Sequence, residues 1–237
     1  MGDLHEDIQV SGPDGSFTAY LSAPAQPNGV AVVVLQEIFG VNANIRGIAD
    51  EFADAGFVAI APDLYWRQMP GIQLDPATDE GRAQAMDLMK GLDRNQAATD
   101  GTVALAAARA RVAGIVRSAA LGYCFGGGVA YLMAVRGAVD AGIAYYGTGL
   151  HTLLDEVSDT PAQLLLHIAG QDHLCPPEAQ NAIVEALAPL GDHAMVVVHD
   201  GVGHAFARRG GATFDQAAAD RANGLTRDLL RSLADAK

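Results

Sequence analysis

Short unbroken apolar runs alternate along this chain with longer stretches in which apolar positions recur every three or four residues. Ala31 to Gln36, Phe57 to Ala61, Ser118 to Tyr123, Gly142 to Tyr146, Gln163 to Ala169 and Ala194 to His199 are of the first kind and predict short buried strands. Asn44 to Ala55, Glu80 to Gly91, Ala97 to Val112, Val129 to Arg136, Pro177 to Leu187 and Asp215 to Leu233 are of the second kind and predict helices. Strands with apolar residues on both faces, separated by helices, imply an α/β fold with a mostly parallel sheet covered on both sides. Near the N-terminus, Ile8 to Ser11 and Phe17 to Ser22 flank the turn signal Pro13-Asp14-Gly15, so an antiparallel hairpin is expected at the sheet edge. Leu64 to Thr78, rich in proline, glycine and polar residues, is expected to be a long loop bordering a pocket. With 237 residues and no composition shift or repeat, residues 1–237 read as one domain.

Composition narrows the partners. Half of the residues are hydrophobic, which argues against disorder, and the formal charge of −13 would repel nucleic acid and anionic membrane surfaces. No stretch is long enough to span a membrane, and Met1 to Val10 is acidic and polar, so a cytoplasmic protein is expected. The two cysteines, Cys124 and Cys175, give no disulfide framework and no C-x-x-C pair. His151, His167, His193 and His199 show no metal-ligand spacing, and no metal or cofactor is expected. A monomer acting on a small molecule is the resulting expectation.

The chemistry concentrates in Gly122-Tyr123-Cys124-Phe125-Gly126-Gly127, between a predicted strand and a predicted helix. This is the G-x-nucleophile-x-G form of a nucleophile elbow, with cysteine at the nucleophile. Glycines suit a tight turn with little room for side chains, and the helix N-terminus behind it favours a thiolate and later an oxyanion. Taken alone, the run fits equally a small buried cysteine in a glycine-rich turn. Asp172 and His204 each lie just past the end of a later strand, in the order nucleophile, acid, histidine expected of an α/β-hydrolase. His204 would then take or share the Cys124 proton while Asp172 fixes the imidazole tautomer. Glu37 ends a strand that would lie beside the elbow, where a carboxylate needs a partner or solvent. By analogy, the backbone N–H groups of Ile38 and Phe125 would form the oxyanion hole. Arg208 and Arg209, close behind His204, would suit a substrate anion, although exposed arginines are ordinarily solvated surface. The glycine cluster does not fit a dinucleotide fingerprint, since G-x-G-x-x-G requires glycine where Cys124 stands.

Six blocks carry a resemblance over nearly the whole chain: Gln36-Glu37-Ile38-Phe39-Gly40-Val41-Asn42, Pro62-Asp63-Leu64-Tyr65, Gly122-Tyr123-Cys124, Tyr145-Tyr146-Gly147, Gln171-Asp172-His173 and Gly203-His204-Ala205-Phe206-Ala207-Arg208. In that order they resemble the dienelactone hydrolases (carboxymethylenebutenolidases) of the α/β-hydrolase superfamily. The resemblance implies hydrolysis of a carboxylate-bearing unsaturated γ-lactone, dienelactone to maleylacetate, in bacterial breakdown of chlorinated aromatics. It implies that Glu37 pairs with Arg208 at rest and turns toward the Cys124 thiol when a substrate anion arrives. It places Arg82 with Arg208 on the substrate carboxylate, and Phe39, Tyr145, Met86, Met89 and Leu174 about the substrate. Several of these positions depart from the pattern: Met86 and Met89 replace a tyrosine and a tryptophan, Leu174 an aromatic, and Ala205 a serine. The departures put the substrate in question, leaving two alternatives: a hydrolase of another small ester, or a non-catalytic binding or redox protein on the same scaffold.

Overall fold

The computed structural model describes residues 3–157 and 160–236. Eight strands form a sheet in the order β1-β2-β4-β3-β5-β6-β7-β8. The strands are β1 (Leu4–Gly12), β2 (Gly15–Ala23), β3 (Val30–Leu35), β4 (Val58–Pro62), β5 (Arg117–Tyr123), β6 (Ala141–Tyr145), β7 (Gln163–Ala169) and β8 (Ala194–His199). The expected hairpin is β1–β2 at the edge, and β2 joins β4 antiparallel. From β4 across to β8 every pairing is parallel. Period-two alternation divides the core into two layers. On β3, Ala31, Val33 and Leu35 face one layer, while Val30, Val32 and Val34 face the other.

Helices α3 (Arg94–Arg111), α4 (Phe125–Val135) and α5 (Pro177–Leu187) bury residues in the first layer, with Ala85 of α2 (Asp79–Met89) beside them. Helices α1 (Ala43–Asp54) and α6 (Gln216–Asp235) cover the opposite face. Two helices begin three or more residues earlier than their apolar pattern suggests. Asp93 caps α3 by accepting from the N–H groups of Asn95 and Gln96, which draws Arg94 into the first turn. Helix α4 starts at Phe125 rather than Val129, so three glycines fall inside it. They are there because the helix meets other backbone: a Cβ on Gly126 would lie 2.5 Å from the Leu35 and Gln36 carbonyl oxygens, and one on Gly127 would lie 2.7 Å from the Gly147 Cα. Residues 150–156 and 188–193, not predicted as helical, form short 3₁₀ turns.

The segment from Leu64 to Thr78 is irregular, as expected, and pinned at several points. Asp63 accepts from the N–H groups of Tyr65 and Gly71, and the Leu74 N–H donates to the Phe39 carbonyl. Burial raises the Asp63 pKa, and these two backbone donors work against that rise. No helix among the described residues is long and apolar enough to cross a membrane.

Candidate active site

Because β3, β5, β6, β7 and β8 run parallel as neighbours, the loops after them meet at one edge of the sheet. Cys124 sits between β5 and α4 at φ 54°, ψ −115°, a backbone that an L-residue adopts only when its surroundings enforce it. Tyr146 after β6 and Ala205 beside His204 are also at positive φ, 40° and 63°. These are the three non-glycine positive-φ residues among those described, and all lie at this edge. Strain is therefore confined to where the candidate chemistry is. The turn itself brings α4 back against β5, since a Cβ on Gly122 would clash with the Gly126 carbonyl. Cys124 is only 8 % exposed, more covered than an exposed elbow thiol would be.

His204 Nδ1–H donates to Asp172 at 2.7 Å, and Asp172 is itself held by the Leu174 N–H at 2.9 Å. This bond fixes the tautomer and turns Nε2 away from the carboxylate; Nε2 is buried and has no hydrogen-bond partner among the described residues. Burial disfavours an imidazolium here, but the Asp172 hydrogen bond and the neighbouring Cys124 outweigh it, and the His204 pKa is pushed up to about 10. Tyr146 packs edge-on to the ring at 5.1 Å between centroids. Cys124, the His204 imidazole and a buried carboxylate thus stand in sequence, an arrangement suited to nucleophilic acyl transfer.

Two backbone donors complete the edge. Phe125 is the first residue of α4, so its N–H has no partner within the helix, and neither it nor the Ile38 N–H donates to any group among the described residues. The Ile38 peptide is held by the buried Tyr65, whose hydroxyl donates to the Ile38 carbonyl at 2.9 Å. Glu37, 3 % exposed, accepts both arms of Arg208: Nε and a terminal nitrogen each lie 2.9 Å from a carboxylate oxygen. Arg208 also lies over the Phe39 ring at 5.1 Å. Burial works against the Arg208 charge, but Glu37 more than restores it and raises its pKa.

The remaining expected substrate residues separate. Tyr145 is a correction: its hydroxyl is turned to α6, where it bonds Asn223 at 2.9 Å and Thr226 at 2.7 Å. There it lines a cavity of about 250 Å³ between α1 and α6, because alternation along β6 sends it to the face those helices cover. Arg82 is half-exposed and bonded to Asp79 and the Pro76 carbonyl. Met86 and Leu174 are 50 % and 43 % exposed, while Met89 packs against the first core layer. Arg209 pairs with Glu51 at the surface. Sequence reading gave no role to Tyr65, Tyr146 or Arg94. Tyr65 and Tyr146 lie within blocks it singled out, but Arg94 had no signal beyond its cap, Asp93.

The sequence pattern of the dienelactone hydrolase family matches residues 17–234. This chain belongs to the dienelactone hydrolase family. It is 36 % identical over 237 residues to the carboxymethylenebutenolidase of Pseudomonas putida, covering 99 % of each chain. It is also 36 % identical over 234 residues to carboxymethylenebutenolidase 1 of Cupriavidus pinatubonensis, covering 98 % of this chain and 99 % of that one. Among solved structures it resembles a Klebsiella pneumoniae protein provisionally named a dienelactone hydrolase, at 25 % identity and a TM-score of 0.81 over the full length of both chains. The chain is therefore a hydrolase of this family with the α/β-hydrolase fold.

Proposed function

We propose that this protein opens carboxylate-bearing unsaturated γ-lactones, dienelactone to maleylacetate, with Cys124 as nucleophile, His204 as its base and Asp172 as the residue that orients His204. The observation that carries the reading is the meeting of a strained Cys124, the 2.7 Å His204–Asp172 bond and two idle N–H groups at one sheet edge. The names of full-length relatives at 36 % identity support the substrate.

In this reading Sγ adds to the lactone carbonyl, and the oxyanion accepts hydrogen bonds from the Ile38 and Phe125 N–H groups. Collapse of the tetrahedral adduct breaks the ring C–O bond and releases an enolate on the acyl chain, which takes the proton that His204 received from Cys124 and becomes the ketone, leaving His204 neutral. Water, deprotonated by His204, then cleaves the thioester, and the sulfur leaves as thiolate. Glu37 is held by Arg208 at rest and would approach the thiol only after that pair opens. The pathway supplying such a lactone would be chloroaromatic degradation, as the resemblance implies. One observation favours a second reading, a broader small-ester hydrolase: Met86 and Leu174 present exposed apolar surface where the family pattern has aromatic side chains.

The test is hydrolysis of cis- and trans-dienelactone beside 4-nitrophenyl acetate by wild type, Cys124→Ala and Cys124→Ser. Turnover of a dienelactone by wild type, absent in Cys124→Ala and badly impaired in Cys124→Ser, is expected. Ester hydrolysis with no lactone opening would replace the first reading with the second, and full activity of Cys124→Ala would remove Cys124 from the chemistry.

A further inference from the structure

The arginines about the candidate site differ in how their charge is met. Arg208 spends two nitrogens on Glu37, and Arg82 is bonded to Asp79 and the Pro76 carbonyl. Arg94, the first residue of α3, has no carboxylate within ion-pair distance among the described residues. One terminal nitrogen donates to neutral acceptors, the Thr148 carbonyl at 3.1 Å and the Thr148 hydroxyl at 3.3 Å. Its Nε is buried with no acceptor among the described residues. The guanidinium lies over the Phe125 ring at 5.0 Å, one residue past Cys124. Thr148 in turn holds the Cys124 carbonyl through its own N–H at 3.0 Å. The charge is thus fastened to the two segments that flank the nucleophile.

Small residues make the space it occupies. A Cβ on Gly128 would come within 3.0 Å of the Arg94 Nε, and one on Gly149 within 3.0 Å of a terminal nitrogen. Burial lowers the Arg94 pKa, and the nearby Cys124 partly opposes that shift. A part-buried cation with an idle donor and only neutral partners is costly unless an anion reaches it. The chain carries a large negative charge, yet among the described residues no acidic side chain pairs with Arg94.

We propose that Arg94 is an anion-recognition residue of the active site, binding a carboxylate on the acyl portion of the substrate from the α3 side of Cys124. This rests on the reading of Cys124 as the nucleophile of an ester or lactone hydrolase, and assigns the substrate class a carboxylate within reach of α3. Arg208 remains occupied by Glu37 in the resting state, so Arg94 is the charge free to meet the incoming anion.

The experiment compares two esters with the same leaving group, mono-4-nitrophenyl glutarate and 4-nitrophenyl butyrate, on wild type, Arg94→Met and Arg94→Lys, with dienelactone as a third substrate. Arg94→Met should lower kcat/KM for the anionic ester by roughly 10- to 100-fold and leave the neutral ester within about threefold. Arg94→Lys should recover part of the loss, since it keeps the charge without the fork. Equal losses on both esters, or no loss on the anionic one, would overturn the inference. Should Arg94→Met not fold, the Arg94→Lys ratio of anionic to neutral kcat/KM decides: a fall supports the inference and an unchanged ratio defeats it. A wild type inert toward dienelactone with the glutarate dependence intact would sink only the lactone assignment. A wild type that opens dienelactone while Arg94→Met loses equally on both esters would sink only the role of Arg94.

Discussion

Two histidines in this fold have similar surroundings but different charge, one neutral and one protonated. His167 lies within β7 and packs on Tyr145 at 4.6 Å; His204 follows β8 and packs on Tyr146 at 5.1 Å. Both rings are largely removed from water, and in both the largest influence is burial, which disfavours the imidazolium. Yet the His167 pKa falls to about 3 while that of His204 rises to about 10. The partners make the difference. His204 has the Asp172 carboxylate at 2.7 Å and Cys124 nearby, whereas His167 has His199 at 3.2 Å and the Thr226 hydroxyl at 3.2 Å. Next to the same tyrosine pair, a carboxylate makes a proton carrier, and a buried ring without one stays neutral.

The comparison breaks hardest at Asp172. Asp172→Asn keeps the shape but removes the charge, so His204 should behave like His167 and become neutral near pH 7. Turnover should fall by about 10³- to 10⁴-fold, because the imidazole loses both its tautomer and its reason to hold a proton. The sign for stability follows from the raised pKa: the folded state holds this proton where the unfolded chain, near pH 6.5, has lost it. That contribution is complete below pH 6.5 and disappears as the pH rises toward 10. Urea unfolding from pH 6 to 10 should therefore show a decline in wild type that Asp172→Asn flattens. A variant with nearly full activity would remove Asp172 from the mechanism.

A smaller effect is expected at His167, with the opposite sign. Its pKa is depressed in the folded state, so acid protonates the unfolded chain first, and stability drops as the pH falls from 6.5 toward 3. The slope should be about 1 kcal/mol per pH unit through that window, with His199, also lowered by burial, adding in the same direction. His167→Gln, which retains a group able to bond Thr226, should soften the acid slope and leave turnover within a fewfold of wild type. Superimposable acid slopes would mean that His167 opens to water before it titrates.

Much of this contrast was legible in the sequence, and the part that was not has a physical reason. Chain order and strand ends brought Cys124, Asp172 and His204 together, because parallel strands deliver their following loops to one edge. Glu37 and Arg208, 171 positions apart, were paired by the family resemblance, and they meet because the segment after β8 reaches the end of β3 at the same sheet edge. Face assignment was harder. Tyr145 and Tyr146 are consecutive and share one core layer, and β6 ends between them, so that the first meets α6 while the second, at φ 40°, meets His204. Arg94 was beyond reach for a related reason: its surroundings come from α4 and from the loop after β6, and no local pattern announces a cation left without a carboxylate.

The finest division is between a hydrogen bond and a charge. Thr226 bonds both His167 Nε2 and the Tyr145 hydroxyl, so it touches the neutral histidine as Asp172 touches the charged one, but without charge. Thr226→Val preserves the shape and removes the hydroxyl. Tyr145 would keep Asn223 as its acceptor and His167 would keep His199, so the expected loss of stability is only about 1 to 2 kcal/mol. His167 should stay neutral, since burial rather than the hydroxyl sets its charge, and the acid window for unfolding should not move. Turnover should remain within about twofold, the network lying behind the sheet edge that carries Cys124. Denaturant unfolding at pH 7 and pH 5, read beside the rate on a single ester, separates these outcomes. If Thr226→Val brought His167 into protonation near neutral pH, or cost tenfold in rate, then hydrogen bonding and not charge would be what distinguishes the two histidines.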